Sequence, residues 1–222
     1  MDALWFFGFV AVFLVLGVIA TVISSRNEQK RSEAWKAVAT RPGMQFLGEG
    51  NSVLSRFGQL KMFQTGRKQR VWNVIAVESG EIRIAVGDFR FITGSGKNSH
   101  THNQTICALE SDRFSVPHCR LRPEAKWLDA LGSLFGGQDI DFSEDPQFSA
   151  AFVLQGEDEP AIRRIFNAEV RAWFAERAGR GFVFEARGHK LVFHRGKRIP
   201  PDEAPALMDQ ALQIMKLLAG QP

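Results

Sequence analysis

Residues 70–92 read RVWNVIAVESGEIRIAVGDFRFI, and this stretch decides the fold. Two runs, Arg70–Val77 and Glu81–Ile92, place apolar residues at alternate positions, with Ser79-Gly80 between them. Side chains two apart share one face of an extended strand, so each run predicts a half-buried strand. A Ser-Gly pair between two such runs predicts a hairpin turn. Gly87 interrupts the alternation of the second run and predicts a bulge there.

Working outward, GQLKMF (58–63) precedes the pair, and HTHNQTICAL (100–109) and RFSVPHCRL (113–121) follow it. Turn signals separate these runs at Thr65-Gly66, Gly94-Ser95-Gly96 and Ser111-Asp112. Residues 58–121 therefore read as an antiparallel β-meander, with a short strand, Met44–Leu47, ahead of it. Pro123–Phe135 predicts a short helix ended by Gly136-Gly137. Beyond it come a strand, Phe148–Leu154, and a helix, Asp158–Arg177. That helix carries an inward stripe of Ile162, Ile165, Phe166, Val170, Trp173 and Phe174. Asp158 suits its N-cap, Pro160 its first turn and Gly179 its end. Phe182–Ala186 and Leu191–Arg195 form a hairpin around Arg187-Gly188, and Pro201–Ala219 is the final helix. A meander followed by a β-α-β-β-α region is an α+β fold. Residues 43–222 form the soluble part, and any subdivision of it falls near 137.

At the N-terminus, Ala3–Ile23 contains no charged residue. A bilayer core of about 30 Å needs roughly 20 apolar residues, so the run predicts a single transmembrane helix within an anchor of residues 1–25. A cleaved signal peptide would want a basic start and a shorter apolar stretch. Here the start is Met1-Asp2, and Trp5, Phe6 and Phe7 suit a lipid–water boundary. Arg26, Lys30, Arg31 and Lys36 follow the run and no cation precedes it. The positive-inside rule then predicts a cell-membrane protein with its C-terminal domain in the cytoplasm. Residues 26–42 read as a basic juxtamembrane helix, stopped by Pro42-Gly43.

Asp2 is the one charge before Arg26, so the rest of the chain holds 28 basic and 23 acidic residues, a net of +5. This suits an anionic membrane face and is too diffuse to argue for nucleic acid. Cys107 and Cys119 imply no disulfide framework, and a single bridge between them stays open.

Few motifs carry chemistry. Gly94-Ser95-Gly96-Lys97-Asn98 resembles a phosphate loop in composition, but Phe91 and Asn98 stand where that motif asks for Gly and for Ser or Thr. The next run is also a strand, so the segment reads as a hairpin tip. His100 and His102 share a strand face and could serve a transition metal with a third ligand from Asp88, His118 or Asp139/Asp141. Solvated histidines at a strand end are the plainer reading. Asp139-Ile140-Asp141-Phe142 departs from a calcium loop, which wants Gly where Glu144 stands. An extended segment that buries Ile140 and Phe142 and gives its acids to helix caps or arginines fits better. The basic clusters Arg67-Lys68-Arg70 and Lys190–Arg198 suit lipid headgroups or plain solvation. No cofactor or nucleophile motif is present.

The strings FITGSGKNSHTHNQT (91–105), FSVPHCRLRPE (114–124) and LFGGQDIDFSEDPQFSAAFVLQGEDEPAIRRIF (134–166) resemble a family of bacterial single-pass membrane proteins of unknown function. The resemblance implies that the glycine-rich tip and the Gln138–Asp141 segment are parts of one design, and it carries no activity, cofactor or catalytic residue.

The sequence thus leads to a membrane-bound binding or scaffolding module. Its partners are the bilayer, through the N-terminal helix, and an anionic lipid or a protein. The recognition site would be built from Lys97, His100 and His102, with Asp139 and Asp141. The alternative is a metal-dependent, hydrolase-like enzyme using His100, His102 and Asp139/Asp141.

Overall fold

The computed structural model describes residues 2–124 and 139–220, with side chains from residue 13 onward. One long helix, α1 (Asp2–Val38), leads into a sheet built from β1 (Met44–Glu49), β2 (Arg67–Ser79), β3 (Ile82–Thr93), β4 (His100–Ser111), β5 (Val116–Pro123), β6 (Phe152–Gly156), β7 (Val183–Gly188) and β8 (Lys190–His194). Shorter helices are α2 (Asn51–Phe57), α3 (Pro146–Ala151), α4 (Glu159–Ile165) and α5 (Ala168–Ala175), and α6 (Ala204–Ala219) closes the chain. The eight strands lie in the order β1-β2-β3-β4-β8-β7-β5-β6, and every neighbouring pair is antiparallel. The fold is α+β, as the segregation of elements predicts.

The alternation in 70–92 does what its period requires. Ile75, Ile84, Val86, Cys107 and Leu109 enter the larger core, beneath Trp35 and Val38 of α1 and Leu207, Ala211 and Ile214 of α6. The opposite side chains, Val71, Val74, Phe89, Phe91 and Ile106, enter a smaller core under Val53 and Phe57 of α2 and Leu60, Met62 and Phe63. The sheet is therefore covered on both faces in its middle, which is why the centre of β3 is buried at consecutive positions.

The bulge lies on the partner strand rather than on Gly87's own. Trp72 pairs with Asp88 and Ile75 with Val86, so Asn73 and Val74 together oppose Gly87. Asn73 takes a left-handed φ of 55°. A Cβ on Gly87 would lie 2.9 Å from Val74 Cγ2 and 3.0 Å from the Trp72 carbonyl oxygen. Glycine there makes the room that its neighbour's extra residue occupies.

Three expectations need correction. GQLKMF is not a strand: after α2, Lys61–Gln64 forms a 3-10 turn that folds Leu60, Met62 and Phe63 over the small core. Phe148–Leu154 begins as helix, because Asp145 accepts a 3.1 Å hydrogen bond from the Phe148 N–H and Pro146 takes the first turn. The helix expected over Asp158–Arg177 breaks after Ile165. Asn167 caps a new helix through the Val170 N–H at 3.0 Å, and Arg171 Nη1 donates to the freed Phe166 carbonyl at 2.9 Å. The break lets Phe166 and Phe174 stack, with centroids 6.1 Å apart. The Asp158 cap itself is present, through the Ala161 N–H at 3.0 Å. The helix expected over Pro123–Phe135 lies, beyond Glu124, outside the described residues, and Pro123 itself ends β5.

α1 is continuous from the apolar run into the basic segment and ends at Val38, short of the residue 42 expected for the basic helix. Among the described residues no helix is long and apolar enough to cross a membrane. The side chains of the apolar run are described from Phe13 to Ile23.

Candidate functional site

The Gly94–Ser99 segment is a hairpin tip between β3 and β4, closed by the pairing of Thr93 with His100. Gly94 sits at φ 71°, and a Cβ on it would lie 2.1 Å from the Asn98 carbonyl oxygen, so no other residue fits. Arg67 of β2 ties the tip, donating to the Gly94 carbonyl and, at 3.0 Å, to Ser99 Oγ. Lys97 and His100 are exposed. His102 is half-buried and engaged: its ring stacks on Phe91 at 4.6 Å, and Nε2 lies 2.8 Å from Thr93 Oγ1. Burial, and then the nearby His100, push its pKa down from the ordinary histidine value. A ring so held stays neutral further into acid. A proton-NMR titration should find His102 protonating at a pH below that of a free histidine, and Phe91→Ala should move it back toward the free value.

Asp139 and Asp141 stand elsewhere. Both are exposed, while Ile140 and Phe142 between and beside them are buried. Asp139 bridges to Gln155 of β6, whose Nε2 donates to Asp139 Oδ1 at 2.9 Å. Between β4 and β6 lie β8, β7 and β5. At about 4.8 Å per strand β6 lies about 19 Å across the sheet from the histidine strand, and the acids sit at the outer edge of β6. His118 is also apart from the tip, with Nε2 3.0 Å from Glu185 Oε1. Asp88 faces the opposite side of the sheet from His102. Among the described residues no three His, Cys, Asp or Glu side chains come together to hold a metal. Glu144 and Asp145 meet Arg171, at 3.5 and 2.9 Å. Cys107 and Cys119 are both free and buried, and burial raises both thiols above the usual range.

The strongest polar constellation lies where α1 crosses the sheet, centred on Asp88. In β3 this residue shares the inward face with Ile84 and Val86, and it is fully buried. Arg31 of α1 grips it with two bonds, Nε to Oδ2 at 2.7 Å and Nη2 to Oδ1 at 2.6 Å. Asn73 Nδ2 and Thr105 Oγ1 each add a bond of 3.1 Å, and Arg198 Nη2 reaches Oδ2 at 3.2 Å. Arg198 also forms a two-pronged pair with Glu28, at 2.6 and 2.8 Å. Ser32 donates to the Asn73 side-chain oxygen, which explains why the bulge points that residue inward. Burial alone would raise the Asp88 pKa, but the Arg31 hydrogen bonds and charge, then Asn73 and Arg198, outweigh it and hold the carboxyl below the usual range. The Arg198 hydrogen bond does the same for Glu28.

With five donors on its two oxygens, Asp88 could take a metal or a proton only by giving up a donor. The cluster is a fastening between helix and sheet. Sequence reading placed Asp88 only as a spare metal ligand. The usable signal was an acid in the inward register of an apolar strand, which demands a buried cation. A second buried acid, Glu185 of β7, fastens the other face. It accepts from the Lys61 and Met62 N–H groups at 2.6 and 3.0 Å.

No protein-family model matches the chain, and no curated protein matches it either. Among solved structures it is similar to the mycobacterial trehalose monomycolate transport factor A, TtfA. The TM-score is 0.56 at 12% identity, over 85% of this chain and 92% of that one. The likeness is one of fold.

Proposed function

We propose that the chain is a membrane-attached binding or scaffolding module, with its sheet domain at the cytoplasmic face. The observation that carries this reading is the state of α1. Its apolar side chains Leu14, Val15, Leu16, Val18 and Ile19 are each 48–66% exposed. Successive helical residues point about 100° apart, so this run is bare on every side. An uncovered apolar surface of that extent marks a membrane or partner contact. The same helix, without a break, becomes the Arg31–Trp35 segment that the sheet grips. Arg26, Lys30 and Lys36 after the run support the cytoplasmic orientation. The fold shared with the transport factor brings no substrate with it.

Fractionation tests the reading. The full chain should stay with membranes through an alkaline carbonate wash, and removal of residues 2–23 should release it. A C-terminal reporter should read out on the cytoplasmic side. Release of the full chain by carbonate would sink the proposal.

A further inference from the structure

We infer that the β3–β4 tip and the cations around it rest on the anionic phospholipid headgroups of the membrane that α1 enters. The inference rests on the membrane reading above and adds a contact surface to it.

The direction of α1 carries the argument. Arg31 reaches Asp88, Ser32 reaches Asn73, and Lys36 Nζ stands 6.0 Å from the Phe46 ring, beside Val86 in register. The chain then turns and enters β1 at Met44, level with Val77 and Ile84. Going from Arg31 to its C-terminal end, α1 therefore travels from the level of Asp88 toward that of Ile84. It runs opposite to β3. Followed the other way, the helix rises toward the end of the sheet that bears the Gly94–Ser99 tip. From Arg31 back to Ile23 it climbs about 12 Å. From Asp88 on to Thr93 the strand climbs about 17 Å. The tip thus stands at or beyond the level where the apolar run begins, beside the helix.

Charge is segregated along the same axis. At the tip end, Arg67, Lys68, Arg90, Lys97 and Lys197 are exposed, and none has a carboxylate partner among the described residues. Arg26 and Lys30 of α1 add to them. At the opposite end of the strands acids stand among the cations. Arg113 pairs with Glu81 at 3.0 Å, and Arg56, Arg83 and Lys190 share Glu110 at 3.3, 3.9 and 3.5 Å, with Arg187, Glu78 and Asp112 exposed at the same end. A domain with unmatched cations at one end, and its membrane helix leaving at that end, sets those cations against the bilayer surface. Phospholipid phosphates are the anions found at that level, within a Debye length of the cations.

The test uses the full chain in vesicles of phosphatidylcholine with or without phosphatidylglycerol. Cys107 and Cys119 are buried, so a fluorophore can be placed at Ser95→Cys in the tip or at Ser79→Cys in the opposite turn. A headgroup-bound quencher should dim the Ser95→Cys label several-fold more than the Ser79→Cys label. The difference should grow with phosphatidylglycerol and shrink in high salt. Lys68→Ala and Lys97→Ala, both at exposed positions, should weaken the phosphatidylglycerol-dependent contact about fivefold for each cation removed. Equal quenching at the two labels, or indifference to phosphatidylglycerol in vesicles that carry the protein, overturns the tip contact and leaves the anchor standing. Failure of the unlabelled chain to float with either vesicle overturns both.

Discussion

Asp88→Ala lowers the unfolding free energy of the full chain by about 3–5 kcal/mol, because it leaves two partly buried guanidinium groups, Arg31 and Arg198, without their shared carboxylate. For a domain of this size that is a fall in Tm of about 6–20 °C. Chemical denaturation in detergent micelles, followed by Trp fluorescence, would measure it. The loss should also loosen α1, so limited proteolysis should open the chain near Arg31. A pH series gives a second readout. Asp88 has a folded pKa below its unfolded value, so its share of stability is complete above the ordinary carboxylate value, near 3.9. That share drains away as the pH falls from there through the lowered folded value. Asp88→Ala should therefore flatten the acid limb of the stability curve. A variant as stable as the parent at neutral pH would mean that the seam is ornamental.

Trp35→Ala should be comparably severe, at about 3–5 kcal/mol. Trp35 is wholly buried in the larger core, and an aromatic of its size covers on the order of 200 Å². Its indole N–H has no hydrogen-bond partner, so the packing is apolar in effect. Trp35→Phe should for that reason lose far less than Trp35→Ala. Equilibrium denaturation of the two variants checks the ordering. If they were equally damaged, the contribution would lie in something specific to the indole rather than in filled volume. Because Trp35 and Arg31 stack within one turn, at 5.7 Å, the Asp88 and Trp35 losses should fall short of additive when combined.

How far the sequence led can be judged element by element. A period of two is a strong signal, and β2, β3, β4, β5 and the β7–β8 hairpin lie where alternation put them. The short apolar runs misled, because 58–63 and 148–154 are too brief for period to separate strand from helix. There the caps decide: Asp145-Pro146 is an N-cap followed by a first-turn proline, and the apolar residues after it mask that signal. The break at Asn167 was hidden because the 3–4 stripe continues across it. The tip was read correctly as a hairpin, while its grouping with Asp139 and Asp141 was not legible at all. Strand order separates them, since β7 and β8 insert between β4 and β5, which are neighbours in the chain. Nothing local in residues 100–123 records that insertion. The Asp88 fastening joins residues 28, 31, 73, 88, 105 and 198, and such a set is assembled only by the tertiary fold.

Because α1 passes from its apolar run into the Asp88 seam as one continuous helix, the run and the sheet are joined without a hinge. The rotational phase between a given face of the apolar run and the sheet is therefore set by residue count. Each residue between Ile23 and Glu28 turns the sheet by about 100° about the helix axis, so a single insertion there would swing the domain through more than a quarter circle, while lifting it by only about 1.5 Å. If, as proposed, the apolar run lies in a bilayer, a partner that grips one face of that run would meet a different side of the sheet, at almost unchanged height. The stalk is thus a keyed shaft, and the phase of its key, more than its length, decides which face the domain offers.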